Sequence, residues 1–220
     1  MKSSKEKFIP ALHNNWLTPL YDPLLKWGMR EKVFKSYLTE NSHLEPGQKV
    51  LDLGCGTGTL SIQLKKYSPQ IELIGLDADP AVLQIAKNKA AVVNVDIQWV
   101  EGLAHHLEFP DNTFDRVISC LMVHHLTLTN KLKAFEEVFR VLKPGGEFHL
   151  LDFGKPTNLG MRLISIPIVH MEEAGDNIRG LLPGLMLKAG LFNIIETRHF
   201  KTIFGELICY QSIKQNENNR

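Results

Sequence analysis

The sequence has little cysteine, no excess of either charge sign and no long apolar run, and each shortage excludes a class. Cys55, Cys120 and Cys209 are an odd number, without metal-ligand or redox spacing. No disulfide framework is implied, and they read as reduced, mostly structural thiols of a cytoplasmic protein. Against 25 Lys and Arg stand 24 Asp and Glu, so the basic footprint of a nucleic-acid binder is missing. No stretch of about 18 apolar residues is present to cross a bilayer, and no N-terminal segment combines a basic flank, an apolar run and a cleavage site. The expectation is a soluble chain, compatible with peripheral membrane contact. No internal repeat is visible, and with 44% hydrophobic residues the 220 positions suit one domain.

What is present is a local cluster of glycines. Residues 50 to 58 read Val-Leu-Asp-Leu-Gly-Cys-Gly-Thr-Gly, an apolar strand running into a glycine-rich turn. Gly54, Gly56 and Gly58 remove the side chains that would stop the backbone turning sharply against a ligand. The helix expected over Thr59 to Tyr67 begins directly behind them. Thr59 stands where a dinucleotide-binding fingerprint has its third glycine, which disfavours a nicotinamide-dependent oxidoreductase. No Gly-Lys-Ser/Thr ending is present either. A second strand, Ile71 to Leu76, leads to Asp77, a carboxylate placed to accept both hydroxyls of a ribose.

The rest of the chain alternates strand and helix. Strands are expected at Lys49 to Leu53, Ile71 to Leu76, Ile97 to Glu101, Asp115 to Leu121 and Glu147 to Phe153. Asp79 and Pro80 read as N-cap and first residue of a helix carrying Ala81, Leu83, Ile85, Ala86 and Ala90. Asn130 to Leu142 forms another helix, stopped by Lys143-Pro144-Gly145-Gly146. Lys155 to Asp176 reads as an irregular insertion broken by Pro167; then come a helix, Leu181 to Ala189, and a hairpin, Phe192 to Phe200 and Ile203 to Ile213, turning at Lys201 and Thr202. The expected architecture is α/β: a doubly wound, Rossmann-like, seven-stranded sheet, mostly parallel with a C-terminal antiparallel hairpin, and helices on both faces. One domain spans 1–220, with an N-terminal helical segment over 8–44, a core over 45–153, a cap insertion over 154–176 and a C-terminal helix and hairpin over 177–213.

These motifs, in the order glycine loop, acidic strand end, Phe109-Pro-Asp-Asn-Thr-Phe-Asp115 and Leu142-Lys-Pro-Gly-Gly146, resemble the class I S-adenosylmethionine-dependent methyltransferases. The branch containing ubiquinone and menaquinone C-methyltransferases is the most similar. The resemblance implies S-adenosyl-L-methionine as cofactor and S-adenosyl-L-homocysteine as product. Asp52, Gly54, Cys55, Gly56 and Gly58 would border its methionine end, Asp77 would bind the ribose and Ala78 would pack on the adenine. The backbones of Cys120 and Leu121 would line the methionyl side. Where relatives carry Gly-Asp-Ala, this chain reads Gly102-Leu103-Ala104. Leu103 cannot accept from the adenine amino group, which leaves the backbones of Leu103 and Ala104 to read that edge.

The apolar N-terminal segment and Leu159 to Val169 suggest a small lipophilic acceptor, such as a lipid, and the resemblance implies an aromatic, quinone-like one. The reaction would be quinone-like C- or O-methylation or amine N-methylation. His124, His125 and Tyr21 are the candidate catalytic side chains for orienting the acceptor or removing its proton, set against a reading in which His124 and His125 shape the pocket floor or bond backbone. Trp16, Tyr21 and Trp27 would contact the acceptor if the N-terminal helices form a lid, whereas the same helices could simply cover a sheet edge. His105 and His106 read as a solvated turn, and no metal-ligand spacing is evident. The competing class is a non-catalytic S-adenosylmethionine-binding protein acting through partner contacts.

Overall fold

The computed structural model describes residues 31–171 and 173–215. Within them the strands are β1 (Lys49–Leu53), β2 (Glu72–Asp77), β3 (Gln98–Glu101), β4 (Phe114–Cys120), β5 (Leu142–Phe153), β6 (Leu191–Thr202) and β7 (Gly205–Lys214). They make one sheet in the order β3-β2-β1-β4-β5-β7-β6. The first five run parallel, and β7 is antiparallel to both β5 and β6. The chain builds outward from β1 through β2 to β3, then returns to place β4 on the other side. That reversal between β1 and β4 is where such sheets open a crevice at the strands' carboxyl ends.

The helices are α1 (Glu31–Glu40), α2 (Thr59–Tyr67), α3 (Pro80–Val92), α4 (Leu128–Val141), α5 (Leu159–Ile164), α6 (Ile166–Met171), α7 (Gly175–Ile178) and α8 (Leu182–Lys188). One face of the sheet buries Phe135, Val138 and Met186 from α4 and α8, the other Phe34, Leu38, Leu60 and Leu64 from α1 and α2. A strand between two such layers has no polar face to offer water, and after Lys49 every residue of β1 is buried.

Local signals place the elements around the crevice. Asp79 caps α3, its carboxylate accepting from Ala81 N at 2.8 Å with Pro80 next in the chain. Thr127 caps α4 through its hydroxyl. Of the two readings of the N-terminal helices, α1 follows the sheet-covering one: Phe34 and Tyr37 pack edge-on against Phe200 of β6, at 6.3 and 5.6 Å between ring centroids. Trp16, Tyr21 and Trp27 lie outside the described residues.

Three sequence expectations need correction. The insertion over Lys155 to Asp176 is not irregular but holds α5, α6 and α7; Asn158 caps α5 by accepting from Met161 N, and Pro167 sits in the first turn of α6, where proline is tolerated. The hairpin turns at Ile203 and Phe204, because the Thr202 hydroxyl accepts from Phe204 N and donates to Gly205 O. β5 starts at Leu142, and the Lys-Pro-Gly-Gly run is an irregularity between the pairings Phe114↔Leu142 and Arg116↔Glu147.

Candidate cofactor and acceptor site

A cavity of about 370 Å³ opens at the carboxyl ends of β1, β2 and β4. Gly54, Gly56, Asp77, Ala78, Gly102, Leu103, Ala104, His105, Leu121, Met122 and His125 all line it, with Leu126, Thr127 and Asn130 from the start of α4. Its lining is mostly apolar with a few placed polar groups, as small-molecule sites are.

The glycine loop has the backbone that the sequence demands. Gly54, Gly56 and Gly58 have φ of +75°, +53° and +70°, values that side chains disfavour. Gly54 N and Cys55 N donate to Leu76 O at 2.8 and 2.9 Å, tying the turn to β2. A Cβ on Gly54 would lie 2.2 Å from Met122 Cγ, whereas one on Gly56 would meet nothing within 4 Å. Gly56 therefore leaves an uncovered stretch of backbone at the cavity wall, a cradle for a ligand's polar chain.

Asp77 organises the polar side. Its Oδ2 accepts from Gly56 N at 2.7 Å and its Oδ1 from Asp79 N at 3.0 Å, so the carboxylate is fixed by the loop and by the start of α3. Each oxygen retains a lone pair for a ligand hydroxyl. The opposite wall, Gly102 to Leu107, hangs from Asp77 O through Gly102 N and from α4 behind it. There Arg140 donates to Leu107 O and Phe109 O, and Glu137 accepts from Leu107 N. The Arg140 guanidinium beside Glu137 holds that carboxyl below its ordinary range.

Not every sequence candidate lines the cavity. Gly58 has its Cβ direction filled by Trp99 and Ala86. Cys55 is buried and Cys120 half-buried, and burial pushes both thiols up. Asp52 is only 1% exposed and accepts from the Ser61 hydroxyl, bracing the loop from beneath. His105 lies in the turn closed by His106 N and Leu103 O, and it lines the cavity. His125 lines it too, while His124 stands behind, 4.1 Å from it between ring centroids. His124 Nδ1 donates to Asp152 Oδ1 at 2.8 Å. The sequence singles out His124 but does not join it to Asp152. Leu121, at the end of β4, has φ +57°, a left-handed conformation that costs a bulky residue about 1–3 kcal/mol and clusters at functional sites.

Burial raises the Asp52 carboxyl to about 6. Between about pH 4 and pH 6 the folded chain thus keeps a proton that the unfolded chain releases, and the stability it contributes is lost as pH rises through 6. Asp52→Asn has nothing to titrate, so its stability relative to the parent should improve from pH 5 to pH 8, by on the order of 1 kcal/mol. Denaturant melts of both proteins at the two pH values check this.

Comparison with known proteins agrees with this geometry. The model of a methyltransferase domain matches residues 50–146, the span from β1 into β5 that builds the cavity. Residues 50–146 of this chain are a methyltransferase domain. The chain is 35% identical over 161 residues to a ubiquinone/menaquinone biosynthesis C-methyltransferase, UbiE, of Pasteurella multocida, covering 70% of this chain and 59% of that one. To a demethylmenaquinone methyltransferase of Thermus thermophilus it is 37% identical over 137 residues, covering 62% and 60%. The chain thus spans about three fifths of the length of these curated relatives. The fold also matches an S-adenosylmethionine-dependent methyltransferase of Methanosarcina mazei, with a TM-score of 0.66 at 22% identity, over 80% of this chain and 96% of that one.

Proposed function

We propose that this chain transfers the methyl group of S-adenosylmethionine to a small lipophilic or aromatic acceptor of the quinone type. The observation that carries the reading is the cavity wall in which Asp77, Gly56 and the Gly102 to Ala104 backbone converge at the carboxyl ends of β1 and β2. In this assignment Asp77 holds the ribose hydroxyls, Ala78 and Leu103 flank the adenine, and Gly54, Gly56 and Leu121 border the methionyl chain. Asp52, Cys55, Gly58 and Cys120 shape the loop from behind. The sulfonium methyl is supplied already activated, so the protein's task is to hold a nucleophile in line at about 3–3.5 Å and exclude water.

His125 faces the acceptor side, where it orients the ring or takes its proton, and Asp152 keeps His124 in place against it. The lipophilic acceptor is supported by the named relatives and by the cap: Leu159, Leu163, Ile164 and Ile166 on α5 and α6 are all exposed. α7 packs against the turn carrying His124 and His125, which links the cap to the site. Among the described residues no helix is long and apolar enough to cross a membrane. The free state of Cys55, Cys120 and Cys209 fits a cytoplasmic setting.

Incubation with methyl-labelled S-adenosylmethionine and a total cell extract, followed by phase separation, tests the assignment. Label should enter the organic phase; label confined to aqueous metabolites would sink the lipophilic acceptor. The Leu103 assignment has its own test. A carboxylate at this position would receive the adenine amino group, and one recovered hydrogen bond is worth about 1 kcal/mol. Leu103→Asp should therefore bind S-adenosylmethionine about five-fold more tightly by titration calorimetry, and an unchanged affinity would take the adenine away from this wall.

A further inference from the structure

At the opposite end of the sheet from the cavity, we propose a divalent transition-metal site of the Zn²⁺ class formed by His43, Glu147 and His149. Their three donor atoms all lie within 4.8 Å of one another. His43 Nδ1 is 3.0 Å and His149 Nε2 2.9 Å from the same carboxylate oxygen, Glu147 Oε2. Gln211 Nε2 reaches that oxygen at 3.0 Å as well. Two imidazole nitrogens and a carboxylate oxygen are the donor set that binds Zn²⁺ at about 2.0–2.2 Å.

Three separate features of the fold bring these groups together. Glu147 and His149 are two apart on β5, so both fall on one face of the strand. His149 pairs with Gln211 across β7, and this puts an amide able to present its oxygen beside the other ligands. His43, 104 residues from Glu147, arrives from the turn before β1 in a left-handed conformation, φ +48°, unusual for a side-chain-bearing residue and worth a functional explanation. Arg116 fixes that turn by donating to Ser42 O and His43 O at 3.2 and 3.1 Å. It also stands 3.7 Å from Glu147 Oε1, which leaves Oε2 as the ligand oxygen and supplies the outer charge partner that ligating carboxylates commonly have.

The register separates this site from the cavity. Glu147 pairs with Arg116, and Arg116 with Val50, towards the amino ends of β4 and β1. The glycine loop leaves from the other end of β1. The ion would tie the turn before β1 to β5 and β7, holding the sheet's far end without taking part in methyl transfer. No metal-ligand spacing is visible in the sequence because one ligand comes from a remote turn.

The test uses the untagged full chain titrated with Co²⁺ and Zn²⁺. Co²⁺ should give visible ligand-field absorption saturating at about one ion per chain, displaced by Zn²⁺. His43→Ala removes an exposed side chain and should weaken binding about ten-fold or more; Zn²⁺ should raise the thermal midpoint of the parent but not of this variant. His199→Ala serves as the control, because His199 sits in a second histidine–carboxylate group with Glu196 and Glu206. Absence of Co²⁺ absorption overturns the proposal, as does binding that survives His43→Ala or is lost in His199→Ala.

Discussion

An Asp77→Ala variant is expected to lose S-adenosylmethionine affinity by about 10²-fold or more while keeping its fold. In the proposed assignment the carboxylate accepts two ribose hydroxyls. Charge-assisted bonds of this kind are worth about 1.5–3 kcal/mol each, so losing both corresponds to roughly 10²–10⁴ in affinity. A second effect acts in the same direction. The Asp77 carboxylate also accepts from Gly56 N and Asp79 N, and truncation releases the loop that lies under the ligand. Asp77→Asn separates the two contributions, since an amide oxygen still supports one of those backbone donors but carries no charge. It should fall between the parent and the alanine variant. Calorimetric titration with the cofactor, alongside circular dichroism to confirm the fold, provides the measurement. An alanine variant binding within about three-fold of the parent would remove Asp77 from the ribose site.

Asp77 was legible because its signal is local: an apolar strand, an acid at its end and a capped helix two residues on. The same holds for β1 and for α2, whose observed bounds coincide with those expected from the sequence. Where the outcome depended on tertiary partners, the sequence said less. Pro167 looks like a breaker, but a proline in a first turn breaks nothing, and the exposed apolar side chains of α5 and α6 give no period by which to recognise two six-residue helices. The hairpin turn moved by two residues because one hydroxyl, Thr202, bridges it. The clamp of Glu137 and Arg140 on the cavity wall joins positions about thirty residues apart, and no pattern along the chain announces such a pairing. The resemblance to a family supplied the role of the loop, but which of its residues face the cavity and which brace it from behind needed the packing of Trp99 and Ala86 against Gly58.

The same limit applies to His124 and Asp152, and here the largest loss of stability is expected. Asp152 is fully buried and every bond it makes is an acceptance: from His124 Nδ1 at 2.8 Å, His124 N at 3.2 Å, Phe153 N at 2.7 Å and Asn177 Nδ2 at 3.2 Å. Asp152→Ala would leave four donors without their acceptor in a site closed to water. Removing one member of a buried charged cluster costs about 3–5 kcal/mol, which for a chain of this size lowers the melting temperature by roughly 10 °C. Asn at this position is not a neutral replacement, because one of its two ends is itself a donor and meets His124 N–H or Nδ1–H head-on. Asp152→Asn should therefore also be destabilised, though less than alanine. The effect carries a pH signature. Burial alone would raise the Asp152 carboxyl, but His124 and the backbone donor of Phe153 hold it below its ordinary value. A depressed carboxylate contributes stability that is present above the unfolded-state pKa, about 3.9, and is lost as pH falls through the folded one. The gap between the parent and Asp152→Ala, measured by denaturant melts, should accordingly be full at pH 7 and narrow below about pH 4. A gap that stayed constant with pH would mean that the carboxylate's charge contributes nothing and that shape alone holds His124 against His125.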